Sequence, residues 1–365
     1  MTVSPTVAVI GGGPAGASAA LALARQGIGV VVLEPGQYRT AVGETLPPNA
    51  RPLLDGLGLR STVEAEGFLP SVGNWSAWGD PEPLGRDFMF NRHGNGWHLD
   101  RRRFDALLRK EAEAAGADIR HGVALANAES MAGGGFRLRL HGGNVKEIEV
   151  PFAIDASGRS SALARALGHR RRAIDRLIGI AGFVVPRGDA PEEPAVNLVE
   201  AVEAGWWYSA PLPQRRLAAV FMTDSDLARD GAATLQGWLD RLAAASHTGA
   251  RVARYGIGLA GPPVPVPASS ARLDVMGGHN WLAIGDAACS HDPLSSQGLC
   301  SALETGLAAA SACVRRIGGA ADAFLEAADR QGRAWDDYAQ QRTGYYRNER
   351  RWPMVPFWQR RQVTA

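Results

Sequence analysis

Val7 to Ile10 form a short apolar run that ends in Gly11-Gly12-Gly13-Pro14-Ala15-Gly16. An Ala-rich stretch over 17–25 follows, Gly27 stops it, and a second apolar run, Val30 to Leu33, ends at Glu34. This order predicts strand, turn, helix and strand, the opening of a parallel sheet. Residues 47–57 read as a helix, and 101–115 as an amphipathic one with Phe104, Leu107 and Leu108 on one face. Apolar and polar residues alternate over 136–140 and 145–150 around Gly142-Gly143-Asn144, which predicts a hairpin. Residues 152–154 and 281–284 read as short buried strands. Residues 177–224 are mostly strand, punctuated by Gly, Pro and Trp, and predict a sheet that floors a substrate domain. Residues 297–316 and 320–341 read as helices, broken at Gly318-Gly319. The tail 350–361 mixes aromatics, Pro and Arg and reads as a segment wrapped over the surface. There is no internal repeat.

Composition narrows the classes. At 365 residues the chain can bury a large core and hold two joined domains. A formal charge of +2 gives no case for nucleic acid. The basic clusters 101–103 and 169–172 read as solvated helix ends or turns. No apolar run approaches the ~18 residues of a membrane span, and the first strand begins too early for a signal peptide. Cys289, Cys300 and Cys313 include no CxxC pair, and the histidines are scattered, so neither a disulfide framework nor a metal site is expected. These features predict a cytoplasmic protein.

Gly11-x-Gly13-x-x-Gly16 lies between a strand and a helix, with the acidic Glu34 closing the next strand. Glycines there permit a tight turn, and the helix N-terminus offers donors and a favourable dipole to a pyrophosphate. Glu34 would accept the ribose hydroxyls of the adenosine. The pattern alone does not separate NAD from FAD. Two later segments separate them: 154–160, containing Asp155 and Arg159, and 282–298, which runs from Gly285-Asp286 to Asp292-Pro293-Leu294-Ser295-Ser296-Gln297-Gly298.

With these segments the chain resembles the FAD-dependent aromatic hydroxylases, in particular the branch holding the tryptophan halogenases and their non-halogenating relatives. The resemblance includes Gly43-Glu44-Thr45-Leu46-Pro47-Pro48 and His98-Leu99-Asp100-Arg101. It implies an α/β fold: a Rossmann-type FAD-binding domain with a parallel sheet, an inserted antiparallel-sheet substrate domain, and C-terminal helices. The boundaries expected are FAD domain 1–70, 101–168 and 276–315, substrate domain 71–100 and 169–275, and a C-terminal helix and tail 316–365. Cofactor contacts are expected from Gly11, Gly13, Ala15, Gly16, Glu34, Arg101, Val123, Asp286, Pro293, Ser296, Gln297 and Gly298. Asp286 and Arg101 would serve the ribityl and phosphate region. The segment 293–298 would lie against the isoalloxazine, with the following helix directing its N–H groups at N1–C2=O of the ring. An N-cap role for Asp286 alone is the competing reading.

Halogenases of this branch carry a lysine after the Gly-Glu segment and a Glu-Ser pair after Asp-Pro-Leu. Here residues 70–79 hold no lysine, Ser295-Ser296 stands in place of the pair, and Trp206-Trp207-Tyr208-Ser209-Ala210-Pro211 only partly matches Trp-x-Trp-x-Ile-Pro. The resemblance therefore implies hydroxylation of an indole or phenol through a flavin C4a-hydroperoxide. The nearest pattern is that of flavoproteins that hydroxylate a tryptophan of a partner protein during tryptophylquinone biogenesis. A small-molecule aromatic hydroxylase, a flavin-dependent reductase or dehydrogenase, and a maturation partner that only docks to its client stay open. Electrons would come from NAD(P)H or an external flavin reductase. His291 is a candidate acid/base or a packed structural histidine, and Glu44 a flavin- or substrate-orienting carboxylate or a turn stabiliser. Trp75, Trp78, Trp97, Trp206 and Trp207 read as core or pocket wall.

Overall fold

The computed structural model describes residues 5–36, 45–186, 194–228, 231–256 and 258–362. Five strands align in parallel in the order Trp281–Ala283, Phe152–Asp155, Val7–Ile10, Val30–Glu34 and Asp118–His121, the first four mostly apolar and the last polar, with Gly277–Gly278 antiparallel at one edge. Val7–Ile10 and Val30–Glu34 are buried throughout because helices or a second sheet cover both faces. On one face the Pro14–Ala24 helix crosses Gly298–Ile317. A Cβ at Gly306 would meet the Ala15 carbonyl at 2.7 Å, so glycine sets the closeness of that crossing. On the other face lies the meander Ala124–Ser130, Phe136–His141 and Glu147–Val150. Phe136, Leu138 and Leu140 point into the core, while Arg137 and Arg139 pair outside with glutamates.

The second large element is a seven-stranded sheet ordered Val264–Pro267, Leu177–Val184, Arg216–Asp224, Gly205–Leu212, Val196–Val202, Gly73–Ala77 and Leu84–Asp87. All its pairings are antiparallel except Val196–Val202 with Gly73–Ala77. Strand alternation divides its residues between two cores. Trp207, Phe221 and Ile180 face the helices Leu235–Ala243 and Ser246–Arg254, whose Trp238 fills that layer. Trp206, Val220 and Met222 face the opposite, inner side, against Tyr346, Phe357 and Trp358 from the C-terminal region.

Two expectations from the sequence change. Residues 47–57 are not one helix: Pro48–Ala50 is a tight 3₁₀ turn running into the Arg51–Gly56 helix, because Pro47, Pro48 and Pro52 restrict the backbone there. The tail does not wrap the surface. Residues 356–362 form a helix whose Phe357 and Trp358 are fully buried, and Arg361 donates to Asp224 at 2.5 Å. The adjacent buried rings of Phe357 and Trp358, with Arg361 and Arg360 supplied to the buried Asp224 carboxylate, make this segment a plug for the inner face.

Candidate functional site

The glycine turn is shaped by close backbone approaches. Gly11 has φ +106°, and a Cβ there would lie 2.5 Å from the Ala156 carbonyl; at Gly16 it would lie 1.9 Å from the Gly11 carbonyl. A Cβ at Gly13 would meet nothing within 4 Å among the described residues, and Gly13 is the N-cap of the Pro14–Ala24 helix, with no side-chain cap among them. Its orphan N–H groups therefore face open space, as an anion site requires, and Ala15 is packed in the first turn. Glu34 is 5% exposed and holds the turn: its Oε2 accepts from the Gly12 N–H and its Oε1 from the Gly36 N–H, both at 2.8 Å. Each oxygen keeps a lone pair for a further donor. Val123 sits at the same sheet end, its N–H directed at the Glu34 carbonyl at 3.3 Å, and Arg109 donates to the Gly12 carbonyl.

Gly285-Asp286 comes to this turn from the far side of the sheet. Gly285 has φ +54° and approaches Ala15 so closely that a Cβ would lie 2.9 Å from the Ala15 Cβ. Asp286 caps nothing; Ile284 is the N-cap of its short turn, without a side-chain bond. Its half-exposed carboxylate lies 3.3 Å from Arg159, which also donates to the Ser269 carbonyl. Arg171, read from sequence as a solvated charge, instead donates to the Asp286 carbonyl at 2.7 Å and to Ser290 Oγ at 2.5 Å. The correction has a simple cause: the Arg171–Ala173 strand pairs with Ala271–Leu273, which carries the guanidinium inward. Asp155 is buried, accepts from Ser157 and Ala164, and shapes the neighbouring turn. Arg101, at the start of Arg101–Ala114, pairs with the buried Asp105 at 3.3 Å, whose pKa burial raises against the pull of that guanidinium.

The segment 292–298 forms a 3₁₀ turn, Pro293–Ser295, with Ser296 left-handed at φ +51°, and then the Gly298–Ile317 helix. Ser296, Gln297 and Gly298 are exposed; among the described residues no side chain caps this 20-residue helix and nothing lies within 4 Å of a Cβ at Gly298. Leu294 is half-buried against the same core cluster as the inner face of the seven-stranded sheet, so the turn lies on that side of the sheet. His291 lies edge-on to Tyr338 at 4.6 Å; its Nδ1 is buried with no hydrogen-bond partner among the described residues, and burial lowers its pKa. The ring is therefore neutral at neutral pH. Glu44 lies outside the described residues.

At one end of the inner face is a polar cluster that the sequence did not single out. Thr45 Oγ1 donates to Asn197 Oδ1 at 2.8 Å and lies 2.8 Å from the Tyr208 hydroxyl; Asn197 donates to Asn74 at 2.7 Å. His98 places Nε2 3.2 Å from the Ala195 carbonyl, and burial pushes its pKa down to about 4. Trp75 is not a wall of this face. It is 39% exposed and lines a separate hollow on the outer side with Pro83, His247 and Arg251.

The tryptophan halogenase family profile matches residues 86–364, and an FAD-binding domain profile matches residues 6–45. The chain belongs to the tryptophan halogenase family. Within it, the chain is 30% identical to the putative FAD-dependent oxidoreductase LodB of Marinomonas mediterranea, over 98% of this chain and 96% of that one. It is 27% identical to the tryptophan 2-halogenase of Chondromyces crocatus over 87% of its own length, but spans only 63% of that enzyme. Among solved structures, the flavin-dependent halogenase CmlS superposes with a TM-score of 0.86 at 24% identity, covering all of this chain and 68% of CmlS. The peptidyl tryptophan dihydroxylase QhpG, which is essential for tryptophylquinone cofactor biogenesis, superposes with a TM-score of 0.77 at 23% identity, covering all of this chain and 80% of QhpG. The protein is thus an FAD-dependent oxidoreductase of this family, with the mixed α/β fold its motifs imply.

The residues present suit FAD. Two helix N-termini without side-chain caps among the described residues, at Gly13 and Gln297, open beside glycines with free space, and the Glu34 and Asp286 carboxylates could accept from ribose and ribityl hydroxyls. Arg171 comes to the Asp286 turn only through tertiary pairing, since nothing in the run Arg170-Arg171-Arg172 marks which one turns inward.

Proposed function

We propose that this protein is a flavin-dependent hydroxylase of an indole, that of a tryptophan held within a client polypeptide, and does not halogenate. One observation carries the reading. The chain contains two lysines, Lys110 and Lys146, both exposed, one on the Arg101–Ala114 helix and one in the hairpin turn before Glu147–Val150. Neither belongs to the seven-stranded sheet, so no ammonium faces the flavin turn to carry an oxidised halide, and Ser295 and Ser296 supply no carboxylate beside it. The likeness to the peptidyl tryptophan dihydroxylase QhpG, and the full-length likeness to the putative oxidoreductase LodB, support the hydroxylase reading over a halogenase.

Gly11, Gly13, Ala15 and Gly16 would hold the pyrophosphate, Glu34 and Val123 the adenosine end, Asp286 and Arg101 the ribityl chain, and Pro293, Ser296, Gln297 and Gly298 the ring. Bound and reduced, FAD supplies an electrophilic oxygen from O₂. The chain's own task is to orient the indole and keep water out. Val199, Phe183, Tyr208 and Leu294, half-buried around the core on that side of the sheet, would form the apolar wall, and Thr45, Asn197 and Asn74 would provide hydrogen-bonding partners. No side-chain nucleophile is needed. Reduced FAD, O₂ and a tryptophan-containing peptide should give product heavier by one or two oxygen atoms. Turnover of free aromatic acids with none of the peptide would contradict the client reading.

A further inference from the structure

The long Ala323–Asn348 helix carries Tyr338, Arg342 and Tyr346 at four-residue spacing, hence on one face. All three side chains converge on Asp292, the fully enclosed residue that begins the flavin-facing turn. The Tyr346 hydroxyl donates to Asp292 Oδ2 at 2.8 Å and Arg342 Nε reaches the same oxygen at 3.1 Å. The Asp292 N–H donates to the Tyr338 hydroxyl at 2.6 Å. Asp292 Oδ1 in turn accepts from the Leu294 N–H inside the turn at 3.0 Å. The network has two outward ends. Arg342 also donates to Asp175, at the entry to the Leu177–Val184 strand, and Tyr346 accepts from the Trp206 indole of the inner sheet face at 3.1 Å. A buried carboxylate is costly unless paired and hydrogen-bonded, so Asp292 can hold the turn only while these donors remain in place.

We propose that Tyr338, Arg342 and Tyr346 are positioning residues for the cofactor: through Asp292 they set where the N–H groups of the 294–298 segment stand against the flavin ring. The inference rests on the reading that this segment faces the isoalloxazine. Its effect belongs to the flavin's electronics rather than to its affinity, because the phosphates and the adenosine are held elsewhere. Donors aimed at the N1–C2=O edge favour the reduced, anionic ring, so loosening them makes reduction harder.

The test uses the FAD-loaded full chain and reads the visible circular dichroism and the midpoint potential of the bound flavin. Tyr346→Phe keeps the ring and removes one donor, while Arg342→Lys keeps the charge but cannot span both aspartates. Both should retain FAD with unchanged affinity, alter the visible dichroism and shift the potential to more negative values. Tyr345→Phe, one residue away and exposed, should change neither. Gly298→Ala tests the underlying reading, since among the described residues nothing lies within 4 Å of its methyl, which a bound ring would meet. If Gly298→Ala shifts the flavin signals and the Tyr346 and Arg342 variants do not, the positioning role is wrong and the placement of the turn stands. If no variant shifts them, both are wrong. Should Arg342→Lys fail to fold, Tyr346→Phe decides.

Discussion

Glu34 shows what a single residue contributes and how much of it the sequence discloses. Its place at the end of the second strand was legible as the ribose acceptor; its bonds to the Gly12 and Gly36 N–H groups were not, because they depend on how the glycine turn folds back. Glu34→Ala removes a charged acceptor and is expected to weaken FAD binding by ~1.5–3 kcal/mol, roughly ten- to a hundredfold, in a fluorescence titration. It should also lower the melting temperature of the FAD-free protein, since two N–H groups lose their partner. His98 had no visible role in the sequence beyond its motif. Burial depresses it from 6.5 to about 4, so the folded state keeps it neutral while the unfolded chain protonates it. Its contribution is present above pH 6.5 and is lost as pH falls from 6.5 toward 4, to a limit of about 3 kcal/mol. His98→Gln should flatten the fall in urea-unfolding stability across that interval. An unchanged slope would mean that other groups govern acid sensitivity.

At the scale of elements, strands and helices with strong periodicity were readable: the opening strand–turn–helix–strand, the amphipathic Arg101–Ala114 helix and the Phe136–Val150 hairpin follow from local pattern alone. The C-terminal segment was not, because its partner, the inner face of a sheet, lies far away in sequence. Its alternation of aromatics with arginine looks like a surface strap until Asp224 is seen to be buried beneath Arg361 and Arg360. Trp358 touches Trp78, Tyr346, Trp352 and Phe357. Trp358→Ala is expected to cost ~3–5 kcal/mol in chemical denaturation, as a buried aromatic truncation does. A cost below about 1 kcal/mol would place the segment on the surface after all.

At the scale of the whole molecule, a few short motifs in order disclosed the fold class and cofactor, since the glycine turn and the segments 154–160 and 282–298 each need a strand end or a helix start at a defined place. The pairing of the Asp292 turn with the inner sheet face, and the helix that braces it, were not legible, because ion pairs such as Arg342 with Asp175 span 167 residues. The family is named for halogenation, yet this chain's two lysines both lie away from that face. The most direct measurement is therefore a mass spectrum of a tryptophan-containing peptide incubated with protein, reduced FAD, O₂ and excess bromide. The account predicts product heavier by one or two oxygen atoms and free of bromine. A bromine isotope doublet on the indole, absent without the protein, would contradict it and make the chain a halogenase.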